Sequence, residues 1–348
     1  MNRVASTVLC IGLVSLASAV AAQTPTPTPM AHRFIQVAPD VYAALGNGTI
    51  ETRDAAGVII NANDVFLVDT NITPEATRRL VNDIKTLTPK PIRYVVNTHW
   101  HYDHADGNQV FGPEVTIIGH QNERAAILNG VLKNRLDQEF RNLPGQLDNL
   151  RKQIAGEQDP ARKTQLEERL QTQLAYQQQL METVPTPPTL TFEDRLTVFR
   201  GDREIRLIHP GRGHSDTDIL VYLPKEKLIF TGDFFEGPAT GALNFGFHDE
   251  WANNLEKLKA LDYETTIPGH GEPFKGKERI DYFQAFLRDL WNQTKTLHDQ
   301  KVPVADAAKR VDMSAHKPHY QNLSAMPGFQ EATIARIYQV LDQRTGSN

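Results

Sequence analysis

Hydrophobic positions in this chain gather in short, near-continuous runs at 34–37, 41–45, 56–60, 65–68, 92–96, 115–118, 190–192, 196–199, 204–208, 219–223, 228–230 and 265–267. Short apolar runs closed by Gly, Pro, Asn or Asp read as buried strands. Between them the period lengthens. Leu80, Val81 and Ile84 form a stripe in 74–87, and Leu255, Leu258 and Leu261 form one in 251–261. Both predict helices, as do 279–297 and 331–341 near the carboxyl end. Thr73 or Asn71 is placed to cap the first helix. Strands, a helix and more strands occur twice, loosely, which predicts a mixed α/β (α+β) fold.

One stretch breaks this alternation. Residues 121–184 are rich in Gln, Glu, Arg, Lys and Leu, with Leu166, Leu170 and Leu174 on one helix face. They read as a helical insertion of two or three helices, with breaks near Pro144-Gly145 and Asp159-Pro160. A solvated hairpin is the simpler interpretation. The sharper one is a lid over a site or the arm of a homodimer.

The amino end differs again. Arg3, the apolar stretch 8–20 and Val20-Ala21-Ala22 have the pattern of a signal peptide over 1–22, cut before Gln23. A Thr/Pro linker follows over 23–33, and the folded domain is expected over 34–348, with C-terminal helices in 277–348. Cys10 is the sole cysteine and lies in the signal segment. The mature chain would have no disulfide and no thiol ligand, although a periplasmic or secreted location would permit disulfides. A net charge of −5 gives no basic footprint. The expected partner is therefore a small-molecule substrate, not nucleic acid, with no membrane contact after signal cleavage.

The groups that carry chemistry sit just beyond the apolar runs. Asp69 follows 65–68. His99, His101, Asp103 and His104 follow 92–96 within His99-Trp100-His101-Tyr102-Asp103-His104. His214 lies in Gly211-Arg212-Gly213-His214, Asp233 in Thr231-Gly232-Asp233, and His270 in Pro268-Gly269-His270-Gly271. If the runs pair into sheets, their carboxyl ends gather these groups along one edge. His99, His101 and His214 then make one nitrogen-rich pocket, and Asp103, His104 and His270 a second. Asp233 can be shared between them. Zinc accepts such N and O ligands, lowers the pKa of a bound water to about 7, and works in pairs.

These landmarks resemble the metallo-β-lactamase superfamily over about 34–274, less the insertion. The resemblance implies a four-layer αββα sandwich with two Zn2+ per chain at one edge of the sheets. It assigns His99, His101 and His214 to one ion and Asp103, His104 and His270 to the other. Asp233 bridges, and Asp69 stands behind the ligands to orient them. The implied activity is that of an exported di-zinc hydrolase, in which metal-bound hydroxide attacks an ester, lactone, lactam or thioester and water or Asp103 handles the proton. Many β-lactamases of the family carry Cys or Ser where this chain has Asp233. The Asp is more like the glyoxalase II ligand set, so a β-lactam substrate is not implied.

Two rivals stand beside this reading. One is a mononuclear iron enzyme of the same fold, resembling persulfide dioxygenases, with manganese as a further metal alternative. The other is an exported metal-binding or relay protein that docks through the insertion. Trp100 and Tyr102 are expected to pack, with a pocket wall as their alternative role. His120, His209, His298, His316 and His319 are read as core or surface histidines. His248 is read the same way, with substrate contact as its second possibility, and Arg212 as an exposed turn residue.

Overall fold

The computed structural model describes residues 29–320 and 329–345. The expected signal peptide and residues 23–28 of the linker lie outside the described residues. Two sheets form the body. The first runs in chain order: β1 (His32–Ala38), β2 (Val41–Gly46), β3 (Ala55–Ile60), β4 (Val65–Val68), β5 (Ile92–Val96), β6 (Thr116–His120) and β7 (Leu190–Phe192). Its first four strands are antiparallel and β4 to β7 are parallel. The second comprises β8 (Arg195–Arg200), β9 (Arg203–Ile208), β10 (Leu220–Leu223), β11 (Leu228–Gly232), β12 (Thr265–Pro268) and β13 (Phe274–Lys275), with β11 and β12 parallel.

The side-chain period of two explains how these strands stack. In β4, Phe66 and Val68 point to the space between the sheets, where they meet Leu207, Val221 and Phe230. Val65 and Leu67 point the other way, onto α1 (Pro74–Ile84) through Leu80 and Ile84. In β10, Val221 and Leu223 face the first sheet. Leu220 and Tyr222 face α6 (His248–Ala260) and α7 (Glu278–Asp299), which pack with α8 (Val304–Arg310) and α9 (Phe329–Thr345). Every buried strand face thus has a partner layer, and the αββα order follows. Thr73 caps α1 by accepting from the Ala76 N–H.

The insertion begins with α3 (Gln121–Leu128) and continues as a hairpin of α4 (Val131–Gly156) and α5 (Pro160–Leu180). The break at Asp159-Pro160 is present, with Asp159 capping and Pro160 in the first turn. The expected break at Pro144-Gly145 is not: α4 runs through it, and the turn comes instead at Gly130, in the left-handed conformation. Proline inside a helix costs about 3 kcal/mol. Here Leu136, Leu143 and Leu147 offset that cost by burying themselves against Tyr176, Leu180 and Ile72. Leu166, Leu170 and Leu174 lie half-buried along the seam. Among the described residues no helix is long and apolar enough to cross a membrane.

The inter-sheet core should dominate stability. Leu207→Ala is expected to lower the unfolding free energy by about 2–5 kcal/mol. The exposed Leu190→Ala should stay within about 0.5 kcal/mol of the parent. Urea titration of both variants checks the contrast, and equal losses would contradict the layer assignment.

Candidate metal centre

The five strand ends that carry these polar groups are brought to one edge of the sandwich. Parallel pairing of β4 with β5 puts Asp69 beside the 97–104 segment, and parallel pairing of β11 with β12 puts Asp233 beside His270. Backbone bonds then stitch the two sheets at this edge. The Ile219 N–H donates to the Thr98 carbonyl at 2.7 Å, and the Ala55 N–H donates to the Gly269 carbonyl at 2.6 Å. Two glycines make the approach feasible. A Cβ on Gly232, whose φ is +49°, would lie 2.5 Å from Thr98 Oγ1, and one on Gly269 would lie 2.1 Å from Asp233 Oδ1.

All seven residues singled out in the sequence as ligands converge here. His99, His101, His214 and Asp233 place one potential ligand atom each within 4.8 Å of the others, and so do Asp103, His104 and His270. All are buried except His270, which is partly exposed. Asp233 lies between the groups. Its Oδ1 is 3.3 Å from His104 Nε2. Its Oδ2 is 3.4 Å from His214 Nε2, 3.3 Å from His270 Nε2 and 3.9 Å from His99 Nε2.

The nitrogen spacing points to a shared cation. His101 Nδ1 lies 2.9 Å from His99 Nε2 and 2.8 Å from His214 Nε2. One ring nitrogen carries one proton or one lone pair, so it cannot satisfy both neighbours by hydrogen bonding. His104 Nε2 and Asp233 Oδ1, 3.3 Å apart, are buried and make no hydrogen bond with acceptable geometry. Buried polar atoms left unpaired are costly. Lone pairs aimed at a common metal ion remove that cost for those facing it.

The outer contacts fix ring orientation. Asp69 accepts from the Thr98 N–H at 2.7 Å and the Thr98 hydroxyl at 2.9 Å, and from His104 Nδ1 at 2.9 Å. That leaves His104 Nε2 facing Asp233. His270 Nδ1 donates to the Arg53 carbonyl at 2.7 Å, which turns its Nε2 towards Asp103 Oδ2 at 3.5 Å. Asp69 has a φ of +64°, a conformation held by these bonds. It does not cap α1, which Thr73 does.

Charge divides the two groups. Burial, reinforced by neighbouring imidazoles, holds His99 and His101 well below the usual histidine range, and His214 at about 4. For His104 and His270, burial is outweighed by Asp233 and other carboxylates, which raise them well above that range. Burial likewise opposes ionisation of Asp233, but His270, His104 and His214 hold it well below the carboxylate norm.

Two buried acids at this edge were not singled out in the sequence. Asp54 lies within reach of Asp69 and His104, and Glu236 within reach of Asp233 and His270. Burial pushes both up to about 8. Asp54 precedes the apolar run of β3 instead of following one, and Glu236 is three residues past Asp233 in a loop, so neither fits the strand-end rule. The abrupt step from Asp54 into a wholly apolar strand was the available signal. His248 is fully buried at the start of α6, and Arg212 pairs with Glu250.

The model of the metallo-beta-lactamase superfamily matches residues 55–270. Among curated proteins, the chain is 23% identical over 299 residues to a linear primary-alkylsulfatase of Pseudomonas sp. (strain ATCC 19151), covering 79% of this chain and 53% of that protein. It is 24% identical over 234 residues to the 2,4-dinitroanisole O-demethylase subunit alpha of Nocardioides sp. (strain JS1661), covering 66% and 55%. A match to a type 2 metallo-beta-lactamase of Bacteroides fragilis is 30% identical but spans 31% of this chain and 45% of that protein. The chain thus spans about half the length of the curated relatives it matches. Among solved structures, a metallo-beta-lactamase from Pontibacter korlensis aligns with a TM-score of 0.54 at 16% identity, over 74% of this chain and 99% of that one. The mono-zinc form of FIM-1 from Pseudomonas aeruginosa aligns with a TM-score of 0.52 at 16% identity, over 75% and 96%. These likenesses establish the fold, and the fold implies divalent-metal binding. The chain belongs to the metallo-beta-lactamase superfamily.

Proposed function

We propose that this protein is an exported, two-zinc hydrolase of small-molecule ester-type bonds. The observation that carries the reading is the single buried carboxylate of Asp233 set between two groups of three potential ligands. In this reading His99, His101 and His214 hold one cation, Asp103, His104 and His270 hold the other, and Asp233 is shared. Cations held there would supply Lewis acidity and bring a water's pKa down to about 7.

The chain's own residues do the rest. Asp69 and the Arg53 carbonyl keep His104 and His270 in one tautomer and orientation. Asp103 acts as the base that takes the proton of the attacking water. Trp100 and the exposed Phe245 form an apolar ledge beside His101, with ring centroids 5.7 Å apart and Phe245 4.7 Å from the imidazole. Such a ledge suits the apolar portion of a substrate. This widens the substrate set from esters, lactones, lactams and thioesters to the sulfate esters of primary alcohols named for the Pseudomonas relative. The amino-terminal pattern supports export to the periplasm or beyond.

A hydrolysis screen of the zinc-loaded protein across these classes tests the reading. At least one class should turn over. Asp103→Ala should lower that kcat about 10²–10⁴-fold while the circular dichroism spectrum is kept. Unchanged turnover in the variant, or none in the parent, would sink it.

Proton competition gives a second test. Near neutral pH a cation at His99, His101 and His214 meets neutral imidazoles and displaces no proton. At His104 and His270 it displaces imidazolium protons. As the pH falls through and below the raised pKa values of His104 and His270, the second affinity should therefore fall, more steeply than the first. The first should stay level until the pH nears 4. Chelator-competition titrations across this range read both slopes, and parallel slopes would contradict the assignment.

A further inference from the structure

The insertion meets the turn that carries Asp103 and His104 through a charged side chain. Arg135, on α4, lays its guanidinium over the Tyr102 ring, with Cζ 3.5 Å from the centroid. The same guanidinium donates to the Tyr176 hydroxyl on α5 at 2.8 Å and reaches Asp106 Oδ2 at 3.5 Å. Tyr102 opens the short helix α2 (Tyr102–Ala105), which carries Asp103 and His104, and Asp106 closes it. Arg135 therefore grips both ends of the turn that presents two of the three second-group residues.

The third is tied in from the opposite side. Arg53 donates to the Tyr102 hydroxyl at 2.9 Å, and its backbone carbonyl receives His270 Nδ1. Tyr102 thus lies between two guanidiniums, one in the insertion and one that orients His270. The first group is anchored differently. His99 Nδ1 lies 3.2 Å from the Thr98 hydroxyl, and the turn after His214 is pinned by Asp218 on Ser215. Its contact with the insertion is apolar, through Trp100 against Ile127 and Val131.

We propose that the helical insertion is a splint for the second cation site, acting through Arg135 as a positioning residue. The inference rests on the two-cation reading above. Losing a residue that orients metal ligands from behind typically weakens metal binding about 10–100-fold. Here that loss falls on one site of two, because the clamp holds the ends of the turn that carries Asp103 and His104 and, through Tyr102 and Arg53, the carbonyl that orients His270, while it does not touch Thr98 or Asp218.

The test is zinc titration of the metal-free full chain against a chromophoric chelator, with thermal unfolding as a fold control. The parent should show two classes of zinc. Arg135→Ala should leave the tighter class unchanged and weaken the other at least about tenfold. Arg135→Lys, which keeps a cation over the ring and beside Asp106, should recover most of the loss. If Arg135→Ala does not fold, Tyr176→Phe removes one hydroxyl and should weaken the second class alone, by a smaller factor. Equal weakening of both classes, or no change in either foldable variant, would overturn the inference. A parent with one class of zinc would overturn the two-cation reading itself, and this inference with it.

Discussion

Asp233 holds a negative charge at a buried position. A buried carboxylate is strongly disfavoured unless positive or polarised groups surround it. Four imidazole nitrogens stand within 4 Å of it, and they arrive on three different segments of chain. The polar edge of the sandwich is organised around this one charge. Asp233 and its neighbouring carboxylates raise His104 and His270 against the cost of burial, while burial first, and nearby imidazoles second, lower His99, His101 and His214.

Such an edge is possible because the apolar layers beneath it are complete. Phe66, Val68, Leu207, Val221 and Phe230 close the space between the sheets just below the ligands. Backbone bonds at Ile219 and Ala55 then tie the sheets together at the level of the site. Gly232 and Gly269 let Thr98 and Asp233 come closer than any side chain there would permit. The rigid body thus fixes the turns, and the turns fix the ligands. In a centre that depends on orientation to within a fraction of an ångström, this order of dependence matters.

Much of this was legible in the sequence because strands advertise themselves by apolar runs and the polar groups stand just after them. His99, His101, Asp103, His104, His214, Asp233 and His270 all follow such runs, and the fold brings them together. Asp54 and Glu236 escaped because they enter the edge from a strand's beginning and from a loop. Pro144 misled because a local propensity cost was outweighed by the long-range burial of Leu136, Leu143 and Leu147, which no local pattern reveals. The role of Tyr102 was hidden for the same reason. Its partners, Arg53 and Arg135, lie 49 and 33 residues away in sequence.

The central claim is that Asp233 is shared by two cations. Anomalous scattering at the zinc edge from crystals of the zinc-loaded protein tests it most directly. The account predicts two peaks about 3.5–4 Å apart, one on each side of the Asp233 carboxylate. A single peak, or a pair too far apart for one carboxylate to touch both, would contradict it.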